Sequence, residues 1–133
     1  MAEYNRIEAI TAQAAVDLSA VQYHVLRRSA AGIVNVASNP GGGAQEVAGV
    51  LLNKPTSGRN ASVAVEGFTK VVAGGAVTAN RMVTANGSGR IAHAVSGDWI
   101  LGMALEAAGA DGEIIQVHIG LPARHVPSSL AAL

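Results

Sequence analysis

The sequence contains no cysteine, which excludes disulfides, thiolate metal sites and thiol catalysis. It is also poor in the side chains that chemistry usually draws on. Only four of its 133 residues are aromatic: Tyr4, Tyr23, Phe68 and Trp99. Charged residues make up 14%, against about a quarter in ordinary domains. Nine basic and nine acidic residues cancel. Arg27-Arg28 is the only adjacent basic pair, so the Lys/Arg patch that phosphate binding needs is missing and a nucleic-acid partner is not expected. The longest charge-free stretch, residues 29–45, is broken by Asn35, Pro40 and Gly41-Gly42-Gly43. It falls short of the ~20 mainly apolar residues of a membrane-spanning helix, so no membrane partner is expected either. The first residues lack a basic flank followed by an apolar core, and no secretory signal is read there. The chain is expected to be soluble and made inside the cell.

Small side chains dominate instead. Alanine accounts for 26 residues and glycine for 16. With so little charge and a net charge of zero, part of the surface is expected to be covered by another copy or a partner. The length suits one domain with its own core.

From Val21 onward the pattern is one of short strands. Val21–Arg27 alternates, with Val21, Tyr23 and Val25 on one face. Ile33–Val36, Val47–Leu52 and Ala61–Glu66 follow, the last with Val63 and Val65 inward and Ala64 outward. Val71-Val72 and Val77–Thr84 are further extended segments. Asn86-Gly87 is a hairpin signal with Arg90–Ala94 as its return strand. Asp98–Leu105 places Trp99, Leu101, Met103 and Leu105 on one inward face. The opposite face is apolar too, so this strand is expected to be central, with Gly102 allowing close backbone approach. Glu113–Ile119 closes the series, with Ile115, Val117 and Ile119 inward. Eight to nine short strands with turn signals between them predict an all-β fold, a small single-domain β-barrel or sandwich. The β-domain is read as residues 17–121. Residues 122–133 read as a C-terminal tail and residues 1–16 as an N-terminal arm. The spacing of Ile7, Ile10 and Ala14 permits a short amphipathic helix in that arm. Gly49 and Gly67 are 18 apart, as are Gly102 and Gly120; two similar hairpins explain this echo as well as a duplication does.

No constellation for catalysis, cofactor binding or metal binding emerges. His24, His93, His118 and His125 share no local metal-ligand spacing, and His24 and His118 are read on the polar faces of their strands. The acids are scattered. Asp111-Gly112-Glu113 reads as turn chemistry, and Asp98 as a cap for backbone donors before its strand. The glycine-rich stretches Gly41-Gly42-Gly43 and Asn86–Arg90 lack both the Walker spacing and the dinucleotide fingerprint. Neither Lys54 nor Lys70 sits in a lipoyl- or biotinyl-type hairpin tip. A binding or structural role is therefore favoured over an enzyme.

The stretches Ala15–Tyr23, Gly75–Val83, Asn86–Arg90 and Asp98–Ala108, with Gly112-Glu113 and Gln116–Ile119, resemble tailed-phage head decoration proteins, also called capsid cement proteins. The likeness covers about residues 15–120 and rests on structural motifs. Members usually carry glycine where this chain has Asn80, a residue that tolerates positive φ. The resemblance implies a compact β-rich domain on the outside of an icosahedral shell in the virion. There it stabilises contacts between major capsid subunits, often as trimers, without catalytic residues or cofactors. Tyr4, Ile7 and Ile10, apolar groups in the arm, are the candidate subunit or capsid interface. A free-standing β-barrel ligand-binding module and a small enzyme with a site spanning distant strands are the alternatives. A deep pocket would favour the first, and clustered His and acid side chains the second.

Overall fold

The computed structural model describes residues 7–37, 47–95 and 97–124. These hold nine strands and no helix: β1 (Ile7–Ala14), β2 (Val25–Ala30), β3 (Ile33–Val36), β4 (Val47–Leu51), β5 (Asn60–Val72), β6 (Met82–Ala85), β7 (Ile91–His93), β8 (Trp99–Ala104) and β9 (Ile114–Arg124). The order is β1-β3-β2-β4-β5-β9-β8-β6-β7, and β1 also pairs with β5. That second pairing closes β1, β3, β2, β4 and β5 into a barrel. β9, β8, β6 and β7 form an antiparallel extension from β5. The fold is all-β, as the strand pattern predicts.

Residues 7–14 form a strand where the spacing permitted a helix. β1 runs antiparallel to β5, from Ile7 opposite Gly67 to Gln13 opposite Asn60, and its end also pairs in parallel with β3. An isolated short helix is marginal in water, whereas a strand held on both edges satisfies its backbone groups. Ala12 and Ala14 point into the barrel and are buried. Tyr4 lies outside the described residues, as do the last nine residues of the chain.

The barrel interior is filled by Ala12, Ala14, Leu18, Leu26, Val34, Ala48, Leu51, Ala61 and Val63. A barrel of five strands is narrower than the eight-stranded kind whose interior side chains just fill. Four of these nine being alanine follows from that geometry and accounts for part of the unusual composition. A second core lies between the outside of the barrel and the extension. It takes Val47 and Val50 from β4, Val71 from β5, Val83 from β6, Ile91 from β7, Leu101 and Ala104 from β8, and Ile115, Val117 and Ile119 from β9. All five residues of β4 are buried, because Ala48 and Leu51 serve the barrel while Val47 and Val50 serve the second core.

Bulges assign residues to these two cores, and the one in β8 overturns an inward face expected from simple alternation. In β8 the pairing with β9 shifts between Ile100 and Gly102. Leu101 and Ala104 are consequently buried, while Met103 and Leu105 are each 37% exposed and Trp99 is only half-buried. In β5 the register with β1 shifts at Glu8/Ala9. Val63 and Val65 both face the barrel core as expected, Val65 half-buried, while Ala64 on the opposite face is buried as well, under the second core. β5 is also one 13-residue strand rather than two short ones.

Strand β2 starts at Val25, later than the alternation of residues 21–27 suggests. Tyr23 has φ 67°, a left-handed conformation that costs an aromatic residue about 1–3 kcal/mol. It is held there because its N–H donates to the Leu51 carbonyl at 2.7 Å and its carbonyl accepts from Val72 N–H at 3.0 Å. Asn80 also has φ 67°, the positive φ that its resemblance to a glycine position anticipates. Gly102 is required as expected: a Cβ there would collide with the His118 carbonyl oxygen of the adjoining strand. The β6–β7 hairpin is present, with Ala85 opposite Ile91, but the left-handed residue of its turn is Gly89 (φ 80°) rather than Gly87. The Gly89 carbonyl accepts from Val25 N–H at 2.7 Å, docking the tip on β2.

Two outcomes test this assignment. Leu101→Ala should lower stability by about 2–5 kcal/mol in urea denaturation, whereas Met103→Ala should stay within about 1 kcal/mol because its side chain is half in water. Equal losses would contradict the bulge in β8. Deleting residues 7–14 should abolish the cooperative thermal melt, since it opens the barrel; a retained melt near the parent temperature would show that closure by β1 is dispensable.

Candidate functional site

Most of the described acids and histidines are occupied locally. Asp98 Oδ2 accepts from Val95 N–H at 2.9 Å, as expected for a residue preceding its strand. Glu113 Oε1 accepts from Gly109 N–H at 3.1 Å, and Glu106 Oε1 from Gln116 N–H at 2.7 Å. Asp17 accepts from Ser19 N–H at 3.0 Å, and the Ser19 hydrogen bonds hold its carboxyl below the usual range. His93 Nε2 accepts from Thr78 N–H at 2.9 Å. Among the described residues no three His, Cys, Asp or Glu side chains gather as a metal site would require. The Asn86–Arg90 loop is likewise self-satisfied: Asn86 Oδ1 accepts from the N–H groups of Ser88 (2.9 Å) and Arg90 (3.1 Å), so these donors do not cradle an anion.

His24 departs from its expected place on a polar strand face. It is buried at 7% exposure, with Nδ1 3.2 Å from the Gln22 carbonyl. The Arg90 Nε–H donates to His24 Nε2 at 3.4 Å, and Arg90 Nη1 in turn meets Asp111 Oδ1 at 2.7 Å. This chain fixes the neutral tautomer with the proton on Nδ1. Burial lowers the His24 pKa from 6.5; the Gln22 hydrogen bond opposes this and the Arg90 charge adds to it. Its place is structural, pinning the turn before β2 to the β6–β7 hairpin.

Exposed apolar side chains gather instead on the outer face of the extension. The ladders place Met82 opposite Met103, Met103 opposite His118, and His118 opposite Phe68. Directly paired residues share a face, so these four side chains cross β6, β8, β9 and β5 as one row. The Phe68 and His118 rings meet edge to face, with centroids 4.8 Å apart. Met82 is 47% exposed and Ile114 52%. Beside the row lies a cleft of about 710 Å³ lined by Ile7, Tyr23, Leu52, Phe68, Lys70, Glu106 and Ile114 among others. Of the residues singled out from the sequence, Ile7 reaches this cleft, Ile10 stays exposed on β1 at 41%, and Tyr4 lies outside the described residues. Phe68, Met82, Met103, His118 and Ile114 were not anticipated. Met103 is turned outward by the β8 bulge, which leaves no signal in the alternation, whereas Ile114 sat in plain view on the polar parity of its strand.

No protein-family model matches the chain, and no curated protein is similar to it in sequence. A closed five-stranded barrel carrying a four-stranded extension defines the class as a small all-β domain. Among solved structures, the fold is similar to that of the head fiber gp8.5 N base in bacteriophage phi29, with a TM-score of 0.62 over 86% of this chain and 95% of that one. Sequence identity is 19%, so the likeness is one of fold.

The His24 arrangement predicts a pH dependence. The folded state binds the His24 proton more weakly than the unfolded chain, so the unfolded state gains protons first as pH falls through about 6.5. Stability contributed by neutral His24 is complete above that pH and is lost as pH drops toward the lowered folded value. Thermal melts should fall between about pH 7.5 and pH 5, and His24→Gln should flatten that slope. An unchanged slope in the variant would assign the pH dependence to other groups.

Proposed function

We propose that this protein is a structural component of a tailed-phage head, bound on the outside of the capsid in the virion. There it stabilises contacts between major capsid subunits, as a homo-oligomer for which the trimer is the first expectation. The observation that carries the reading is the fold likeness to the phage head fiber base, which spans nearly the whole of both chains and agrees with the resemblance of residues 15–120 to decoration proteins. The local engagement of His93, Asp98, Glu106 and Glu113 supports a structural rather than catalytic role. An exposed apolar row on a chain with net charge zero supports a covered surface. Many modest contacts suffice for such a role, because avidity multiplies them across a repeated lattice.

A second reading, a free-standing ligand-binding module, is favoured by the cleft of about 710 Å³, a volume within the usual range for small-molecule sites. The barrel itself holds no such space, being filled by its own side chains.

Electron microscopy of heads from the encoding phage, with and without the added protein, separates the readings. Regular density on the outer capsid surface, and a higher temperature of DNA release in decorated heads, are the expected results. Heads that bind none of the folded protein, or a saturable enzymatic activity abolished by one His or acid substitution, would overturn the proposal. Native mass spectrometry decides the trimer.

A further inference from the structure

The chain has three methionines, and the strand register brings two of them together with a histidine. Met82 on β6 and Met103 on β8 are direct cross-strand partners. Met103 is in turn the direct partner of His118 on β9. All three side chains are exposed on one face. Neighbouring strands lie about 4.8 Å apart, so Met82 and His118 stand about 10 Å from each other with Met103 between them. Residue spacing hides this grouping, since each member comes from a different strand. The platform beneath is fixed. Val83, Val117 and Ile119 hold β6 and β9 from behind in the second core. Beside Met103, Gly102 brings β8 so close to β9 that a Cβ there would collide with the His118 carbonyl oxygen. Phe68 meets the His118 ring edge to face and supports it from the side away from Met103.

The donor set decides which ion suits it. Thioether sulfur is a soft ligand that selects Cu(I) over the harder divalent ions, and imidazole accepts copper as readily as zinc. Two thioethers and a neutral imidazole carry no charge, which matches a monovalent ion. Hard ions take carboxylate and carbonyl oxygens instead. By register the carboxylate nearest on this face is Glu66, two residues before Phe68, the partner of His118. One carboxylate and one imidazole fall short of a hard-ion site, and no three His, Cys, Asp or Glu side chains gather among the described residues.

We propose that Met82, Met103 and His118 form a binding site for a soft monovalent ion of the Cu(I) type, held by two thioether sulfurs and one imidazole nitrogen. Met103 supplies the central ligand. Met82 and His118 reach in from either side, and the unbranched methionine side chain, with its three rotatable bonds, spans the gap without strain. The site draws only on β6, β8 and β9. The inference stands apart from the capsid reading, since it concerns the isolated protein, and absence of the protein from phage heads would leave the three ligands in place.

The test uses the full chain and Ag(I), a redox-inert ion of the same charge and softness, titrated in chloride-free buffer with Zn(II) as the harder comparison. The methyl resonances of Met82 and Met103 and the ring resonances of His118 should shift together with Ag(I), whereas Zn(II) should leave both methyls in place. Met82→Leu and Met103→Leu keep the apolar bulk, so melting should barely change. Each should nevertheless weaken Ag(I) binding at least about tenfold, the loss that even outer-shell partners of a metal site produce. His118→Gln should weaken it likewise. Shifts confined to Met1 or His125, tighter binding of Zn(II) than of Ag(I), or undiminished affinity in Met103→Leu would overturn the proposal and leave the row an apolar surface only.

Discussion

Strand β5 belongs to two sheets at once, and the rest of the molecule is arranged around that double duty. Its first half closes the barrel against β1 and β4, and its second half carries β9 and, through it, the whole extension. A single strand with uniform alternation would present one face to one core throughout. Here Val63 faces the barrel interior, whereas Val71, at the same parity beyond the bulge, faces the second core. The β-bulge beside Val65 makes this switch possible, because one extra residue exchanges the faces of everything beyond it. Gly67, with φ 115°, stands two residues on, paired with both Ile7 of β1 and Ile119 of β9.

The same crowding sets the glycine positions that matter. A Cβ on Gly49 would collide with the Ala64 carbonyl oxygen, and one on Gly102 with that of His118. In both places the backbone of a strand that packs on two faces is pressed against its antiparallel neighbour. This gives the equal spacing of Gly49/Gly67 and Gly102/Gly120 a physical content short of duplication. The leading glycines do the same job, but their followers do not: Gly67 is left-handed, whereas a Cβ on Gly120 would meet nothing within 4 Å.

What was legible in the sequence is what depends on local chemistry. Ile33–Val36 is a strand from end to end because three of its four residues are β-branched. The hairpin after β6, the Asp98 cap and the left-handed Asn80 follow from residue types whose preferences are short-range. What was hidden depends on partners distant in the chain. β1 reads as a helix from the spacing of Ile7, Ile10 and Ala14 until β5 and β3 select the strand, which buries Ala12 and Ala14 on one face. The outward Met103 and the left-handed Tyr23 are fixed by β9, Leu51 and Val72, none of which alternation within their own segments can reveal. The candidate surface suffered most, because an exposed row is assembled from one residue per strand across four strands.

The shortage of charge and the surplus of alanine then have separate causes. Part of the alanine is demanded inside, where Ala12, Ala14, Ala48 and Ala61 fill a narrow five-stranded barrel beside three leucines and two valines. The missing charge is an outside property: the positions that could carry it on the extension hold Met82, Met103, Leu105 and Ile114 instead. Each exposed apolar residue alone would be unremarkable on a soluble domain. Met82 and Met103 are direct cross-strand partners, however, and they continue through His118 to Phe68 and the cleft edge. Methionine adapts its shape to an opposing surface at little strain, and the edge-to-face Phe68–His118 pair gives that flexible row a rigid end. Such a row combines one adaptable end with one fixed end across four strands.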